Sequence, residues 1–237
     1  MRSGGVQRKA LAQGLDRLNE DVRTLADLAE LAIRKAMDDL QRKQTVEAEE
    51  VATLDKEIYG LQLAVEKTCV DLIALHAPVA KDLRTITTCL GITTDLDRVG
   101  RYARDITEAE EGLRKLEMGD HPQLADLIRM GDLTIHMLDT AIRAFTTRDA
   151  ESVKDISKFD DSVDDLHDKV FKELVQAMKD RTLDPEVGAH LVLVNRHLER
   201  IADHAVNIGH RVVYMVTGEG PGRGILPTKA LREQDTS

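Results

Sequence analysis

Between Ala77 and Gly220 the chain carries three prolines, Pro78, Pro122 and Pro185. Proline ends helices, because it lacks a backbone N–H and its ring clashes with the preceding turn. The long spans between these breaks are rich in Ala, Leu, Glu, Asp, Lys and Arg, mostly good helix formers. The spacing predicts an all-α protein with six helices, at about 8–42, 46–75, 78–116, 122–145, 150–178 and 185–216. Leu11, Leu15, Leu18, Val22, Leu25 and Leu28 mark the apolar seam of the first helix, and Val51, Leu54, Ile58, Leu61 and Val65 that of the second. Pro78 reads as a first-turn proline of the third helix, and Met118 to Pro122 as a break. Asp184 followed by Pro185 is an N-cap and first-position pair opening the sixth. Helices near 30 residues are roughly 45 Å long, and short connections between them favour antiparallel neighbours.

Several function classes drop out early. With 43 Asp and Glu against 33 Lys and Arg, the net charge is −10, which argues against nucleic acid as the main partner. Aromatic residues make up 3% and there is no Trp, so base-stacking or sugar-stacking platforms are not expected. Cys69 and Cys89 lie in apolar helical surroundings with no C-x-x-C pair, and are read as reduced, buried thiols. The N-terminal MRSGGVQRKALAQ has no apolar signal core, and no run reaches the ~18 apolar residues of a membrane span. A soluble, cytoplasmic protein is expected. No phosphate-binding glycine loop, G-x-S-x-G or G-x-G-x-x-G after a strand occurs.

The chain repeats itself. Leu96 to Ile106, LDRVGRYARDI, aligns with Leu198 to Ile208, LERIADHAVNI. Upstream, Leu54 to Ile58 aligns with Phe159 to Val163 at nearly the same offset. Two three-helix units follow, 1–117 and 118–217, with a Gly-rich, polar tail at 218–237 expected to be disordered.

In the last helix Glu199, Asp203 and Asn207 recur every four residues, on the far side of the apolar stripe of Leu198, Ile201 and Ala205. Like charges at this spacing repel. In the fifth helix Asp160, Asp164 and Asp168 form a second such row beside Phe159, Val163 and Leu166. Two acidic rows on neighbouring helices can converge on one outer groove and share a cation. Carboxylate and amide oxygens suit hard cations such as magnesium, manganese, calcium or iron. The competing reading is a plain solvated face. His197, His204 and His210 scatter around the helix and do not align with the acids, so a histidine-rich catalytic site is not favoured. In the first repeat the row reads Asp97, Arg101, Asp105, and Tyr59 stands where the second has Asp164. Arg101 can neutralise those acids internally.

These features together resemble the PhoU family of phosphate-signalling regulators. The resemblance spans about 10–218 and rests on the paired LDRVGRYARDI and LERIADHAVNI, on HAPVAKDLRTI opening the third helix, and on the tandem layout. It implies two tandem antiparallel three-helix bundles. It implies metal bound on the bundle surface by E/D-x-x-x-D motifs, iron foremost, with manganese, magnesium, zinc or calcium as other candidates. Carried over by position, the ligands are Asp160, Asp164, Glu199, Asp203 and Asn207 in the second repeat. In the first repeat only Asp55, Asp97 and Asp105 match. The resemblance further implies a non-enzymatic, cytoplasmic repressor of phosphate uptake and phosphate-starvation signalling. Such a protein would form homodimers and contact the ATPase subunit of a phosphate ABC transporter and a sensor histidine kinase, reaching the membrane through those partners. The alternatives are a carboxylate-bridged metalloenzyme and a metal-free helical interaction module.

Overall fold

A computed structural model describes residues 3–42, 48–116 and 121–219. It contains six helices: α1 (Ser3–Arg42), α2 (Ala48–His76), α3 (Ala80–Lys115), α4 (Gln123–Thr147), α5 (Val153–Lys179) and α6 (Pro185–Thr217). The described residues hold no strand, and the all-α expectation stands. The tail expected to be disordered lies outside the described residues from Gly220 onward.

Helix ends follow local chemistry. Asp184 caps α6 by accepting from the Glu186 amide at 2.8 Å, with Pro185 at the first position. Gly218 ends α6 with φ 78°, a left-handed conformation that glycine adopts without steric cost. Pro78 departs from expectation. It lies before α3, whose N-cap is Val79 in extended backbone (φ −127°, ψ 160°) with no side-chain cap. The chain turns sharply there, with Ala77 and Ala80 at φ 44° and 45°. The Pro78 ring is buried in this turn and does not start the helix.

α1, α2 and α3 pack on one another, as do α4, α5 and α6. Side-chain pairings fix antiparallel order, for example Lys35–Glu50 across α1 and α2 and Lys169–Asp126 across α5 and α4. The seam residues Leu18, Val22, Leu25, Val51, Ile58 and Val65 are fully buried. Burying a side chain of this size contributes about 1.5–3 kcal/mol.

The two halves meet chiefly along α3 and α6, with α1 also against α4. Two glycines of α3 let α6 side chains approach its backbone: a Cβ at Gly91 would clash with the Arg211 guanidinium, and one at Gly112 with the His190 ring. At mid-junction Asp95, almost fully buried, holds both His204 Nδ1 (2.9 Å to Oδ1) and Arg211 Nε (2.8 Å to Oδ2). Tyr102 stacks on His204 at 5.8 Å between centroids and lies 5.6 Å from His197. Two of the three histidines considered as ligands are therefore packed into the junction. The sixth helix thus turns one face to α3 and leaves its acidic row toward α5.

Candidate metal centre

α5 and α6 are neighbours, and Asp160 of α5 lies within electrostatic reach of Glu199 and Asp203 of α6. Asp160 sits at the centre. Its carboxyl is pushed up to about 7, first by burial and then by the nearby carboxylates of Asp164, Asp203, Asp161 and Glu199. A carboxyl taken out of water beside other carboxylates is costly to ionise. Burial, then Asp203, also holds Glu199 above the ordinary carboxylate range, while Arg196, Arg200 and His167 oppose the rise.

One expectation needs correction. An outer groove and a solvated face both imply open carboxylates, yet Asp160 is only 5% accessible and the Glu199 side chain is mostly covered. Asp160 begins its row beside the seam residue Phe159, and α6 closes over it. Asp203 is more open, and its Oδ2 accepts from Arg200 Nη1 at 3.2 Å. Glu199 Oε2 accepts from Arg196 Nη1 at 2.9 Å. Asn207 is exposed one turn on and lines a shallow pocket with His210, Arg211 and Tyr214. Asp168 lies further along α5, where Lys172 Nζ approaches it at 3.8 Å.

The side chains present are oxygen donors on two adjacent helices around one buried acid, the donor type that hard cations prefer. As the side chains stand, no group of three or more His, Cys, Asp or Glu among the described residues encloses a metal-sized point. The backbone brings the carboxylates into electrostatic reach of Asp160 without gathering them into a finished shell.

In the first repeat guanidinium groups occupy the corresponding place. Arg104 Nη1 donates to Asp55 Oδ2 at 2.7 Å and Nη2 to Asp105 Oδ1 at 3.1 Å. Its Nε lies 3.2 Å from Glu108 Oε1. Arg101 donates to Asp97 Oδ2 at 2.8 Å. The neutralising role given to Arg101 is therefore shared, and Arg104 is the residue that spans α2 and α3. Sequence reasoning passed over Arg104 because it lies outside the four-residue row. The signal was present in the repeat, where Arg104 aligns with the apolar Val206. Asp95 and Arg211 were also missed, since nothing local marks residues that pair across two repeats.

Cys69 and Cys89 are both free and buried, as expected. Burial pushes the Cys69 thiol up to about 11 and raises Cys89 as well, so neither is poised as a thiolate.

The six helices form two three-helix bundles in tandem, and the chain is an all-α protein of repeated bundles with an acidic groove in its second half. The PhoU domain model matches twice, at residues 22–109 and 127–212. The chain belongs to the PhoU family. It is 35% identical to a Synechocystis protein named "Phosphate-specific transport system accessory protein PhoU homolog", over 90% of this chain and 94% of that one. Among solved structures it resembles the phosphate transport system regulatory protein PhoU from Streptococcus pneumoniae, with TM-score 0.82 and 30% identity, covering 90% of this chain and 99% of that one. It also resembles PhoU from Pseudomonas aeruginosa, with TM-score 0.84 and 25% identity, covering 88% and 99% respectively. None of the described helices is long and apolar enough to cross a membrane.

Proposed function

We propose that this chain is a cytoplasmic negative regulator of phosphate uptake and phosphate-starvation signalling, working through protein contacts and not through turnover. The observation that carries this reading is the match along both repeats to a protein named as a phosphate transport accessory protein. The partners proposed are the ATPase subunit of a phosphate ABC transporter and a sensor histidine kinase, with the chain acting as a homodimer. Deleting the gene should derepress starvation genes and phosphate uptake in phosphate-rich medium, and the intact chain should restore repression. Unchanged reporter output after deletion would reject the role. Pull-downs from phosphate-rich and phosphate-poor cells, scored for the two partners, test the contacts.

The reading includes a hard cation, iron first, held by Asp160, Asp164, Glu199 and Asp203, with Asn207 one turn on. The buried, raised carboxyl of Asp160 among other acids supports it, and the cation would supply the missing positive charge. The first repeat, already neutralised by Arg101 and Arg104, is proposed not to bind metal. Elemental analysis of Glu199→Ala/Asp203→Ala protein tests the assignment, and wild-type metal content in that variant would sink it. A metal-free interaction module is the second reading, favoured by the ungathered side chains of the second repeat.

A further inference from the structure

α2 packs against α1 and α3, and its remaining face is open to solvent. Its core seam is Val51, Leu54, Ile58, Val65, Cys69 and Leu72. A second apolar stripe runs down the open face, where Tyr59, Leu63, Val70 and Ile73 are 51%, 46%, 60% and 38% exposed. With Glu66 between Leu63 and Val70, these residues step by four, three, four and three. That alternation is the repeat of a helix–helix seam. Scattered exposed apolar residues are ordinary, but four in one seam register around a single carboxylate have the pattern of an interaction surface.

The other repeat sharpens the point. Tyr59 aligns with Asp164 and Leu63 with Asp168. The same face of the middle helix is therefore acidic in the second repeat and apolar in the first. Where it is apolar, Arg104 and Arg101 have already neutralised the acids alongside. The two faces present different chemistry to whatever they meet.

Glu66 decides what fits. It is half-buried and accepts from Gln62 Nε2 at 2.6 Å. Its carboxylate makes no ion pair among the described residues. Covering it with an apolar surface would strand a charge, whereas an opposing cation would satisfy it. A second copy of this chain fits poorly. Glu66 is the midpoint of the stripe, so a two-fold pairing centred on it, parallel or antiparallel, sets Glu66 against the same residue of the copy.

We propose that the exposed stripe of α2 docks an amphipathic helix of a partner protein, with apolar residues in seam register and a Lys or Arg facing Glu66. The inference rests on the regulatory-adaptor reading and names the surface that reading would use. It belongs to the helix-on-helix mode of recognition, in which apolar anchors supply affinity and one charged position sets register.

The test places a photoreactive residue at Leu63, at Val70 and, as a control, at the exposed Leu193 of α6, in the full chain expressed in cells. Adducts at 63 and 70, absent at 193, should map by mass spectrometry to one partner helix with heptad-spaced apolar residues and a basic residue. Glu66→Lys should cut the adduct yield about ten-fold, and changing the partner's basic residue to Glu should restore it. Thermal melts of each variant check that the fold is intact. Adducts only to a second copy, adducts to a non-helical segment, a yield insensitive to Glu66→Lys, or no adduct would each overturn the proposal. The two readings fail separately. Derepression on gene deletion without these adducts rejects the surface alone, and adducts without derepression reject the regulatory role alone.

Discussion

Arg104 Nη1 donates to Asp55 Oδ2 at 2.7 Å, joining α3 to α2 where the aligned position of the second repeat is Val206. The pair brings positive charge to the acids of this groove from within the chain. The guanidinium is always charged and presents several donors in a fixed fork, so one side chain can serve Asp55, Asp105 and Glu108 together.

Arg104→Val should therefore do two things at once. It should destabilise the chain by about 1–3 kcal/mol, since half-buried acids lose their charged donor. It should also make the first repeat resemble the second, so that manganese or magnesium raises the melting temperature of the variant more than that of the wild type. Calorimetric melts with chelator and with each cation read both effects. An unchanged melting temperature in chelator would show that the arginine is not a structural counter-ion.

Asp160 gives a pH signature in metal-free protein. Its carboxyl titrates near 3.8 when unfolded and is pushed up to about 7 in the folded chain, first by burial and then by its acidic neighbours. Between those values the folded chain holds a proton that the unfolded chain releases, so stability falls as pH rises through that window. Asp160→Asn should remove this fall. With chelator present, the variant should melt a few degrees above wild type at pH 8 and close to it at pH 4. Added cation should erase the difference by stabilising wild type alone.

The helices were legible because proline breaks and apolar seams are local signals. Leu18, Val22, Leu25 and Ile58 lie in the core as their spacing dictates. The acidic rows were legible as rows, but their depth was not. A wheel places Asp160 beside the stripe, and only the packing of α4, α5 and α6 around it determines that water is shut out. The same limit hid Asp95, whose partners His204 and Arg211 lie more than a hundred residues away. The Pro78 turn was misread because proline is equally suited to a first helical turn and to the bend before it. Backbone at Ala77 and Ala80 settles the choice, and those conformations are unusual for alanine.

Asp95→Ala should loosen the junction between the halves. It leaves the largely covered His204 and the partly exposed Arg211 without their shared acceptor, at a cost of about 1–3 kcal/mol. Hydrogen exchange should speed up in α3 around residue 95 and in α6 around residues 204–211, while α2 and α5 keep their protection. Uniformly faster exchange would mean that the halves do not open separately. Asp95→Asn, which retains an acceptor oxygen, should lose less.

Glu110 offers the clearest test of a buried acid outside the candidate site. It is 4% exposed on α3, and neither carboxyl oxygen has a hydrogen-bond partner among the described residues. Burial first, and then Asp39 of α1, pushes it up to about 10 from an ordinary value of 4.5. At neutral pH the folded chain thus holds a proton here that the unfolded chain does not. Stability contributed by this proton is present below pH 4.5 and declines as pH rises toward 10. Glu110→Gln keeps the shape and removes the titration. It should match wild type near pH 5 and exceed it increasingly from pH 7 to pH 9.5, as measured by urea unfolding at each pH. Parallel pH profiles for the two proteins would show that Glu110 is not the group holding the proton. A variant less stable at every pH would instead mean that the carboxyl makes a contact that glutamine cannot replace.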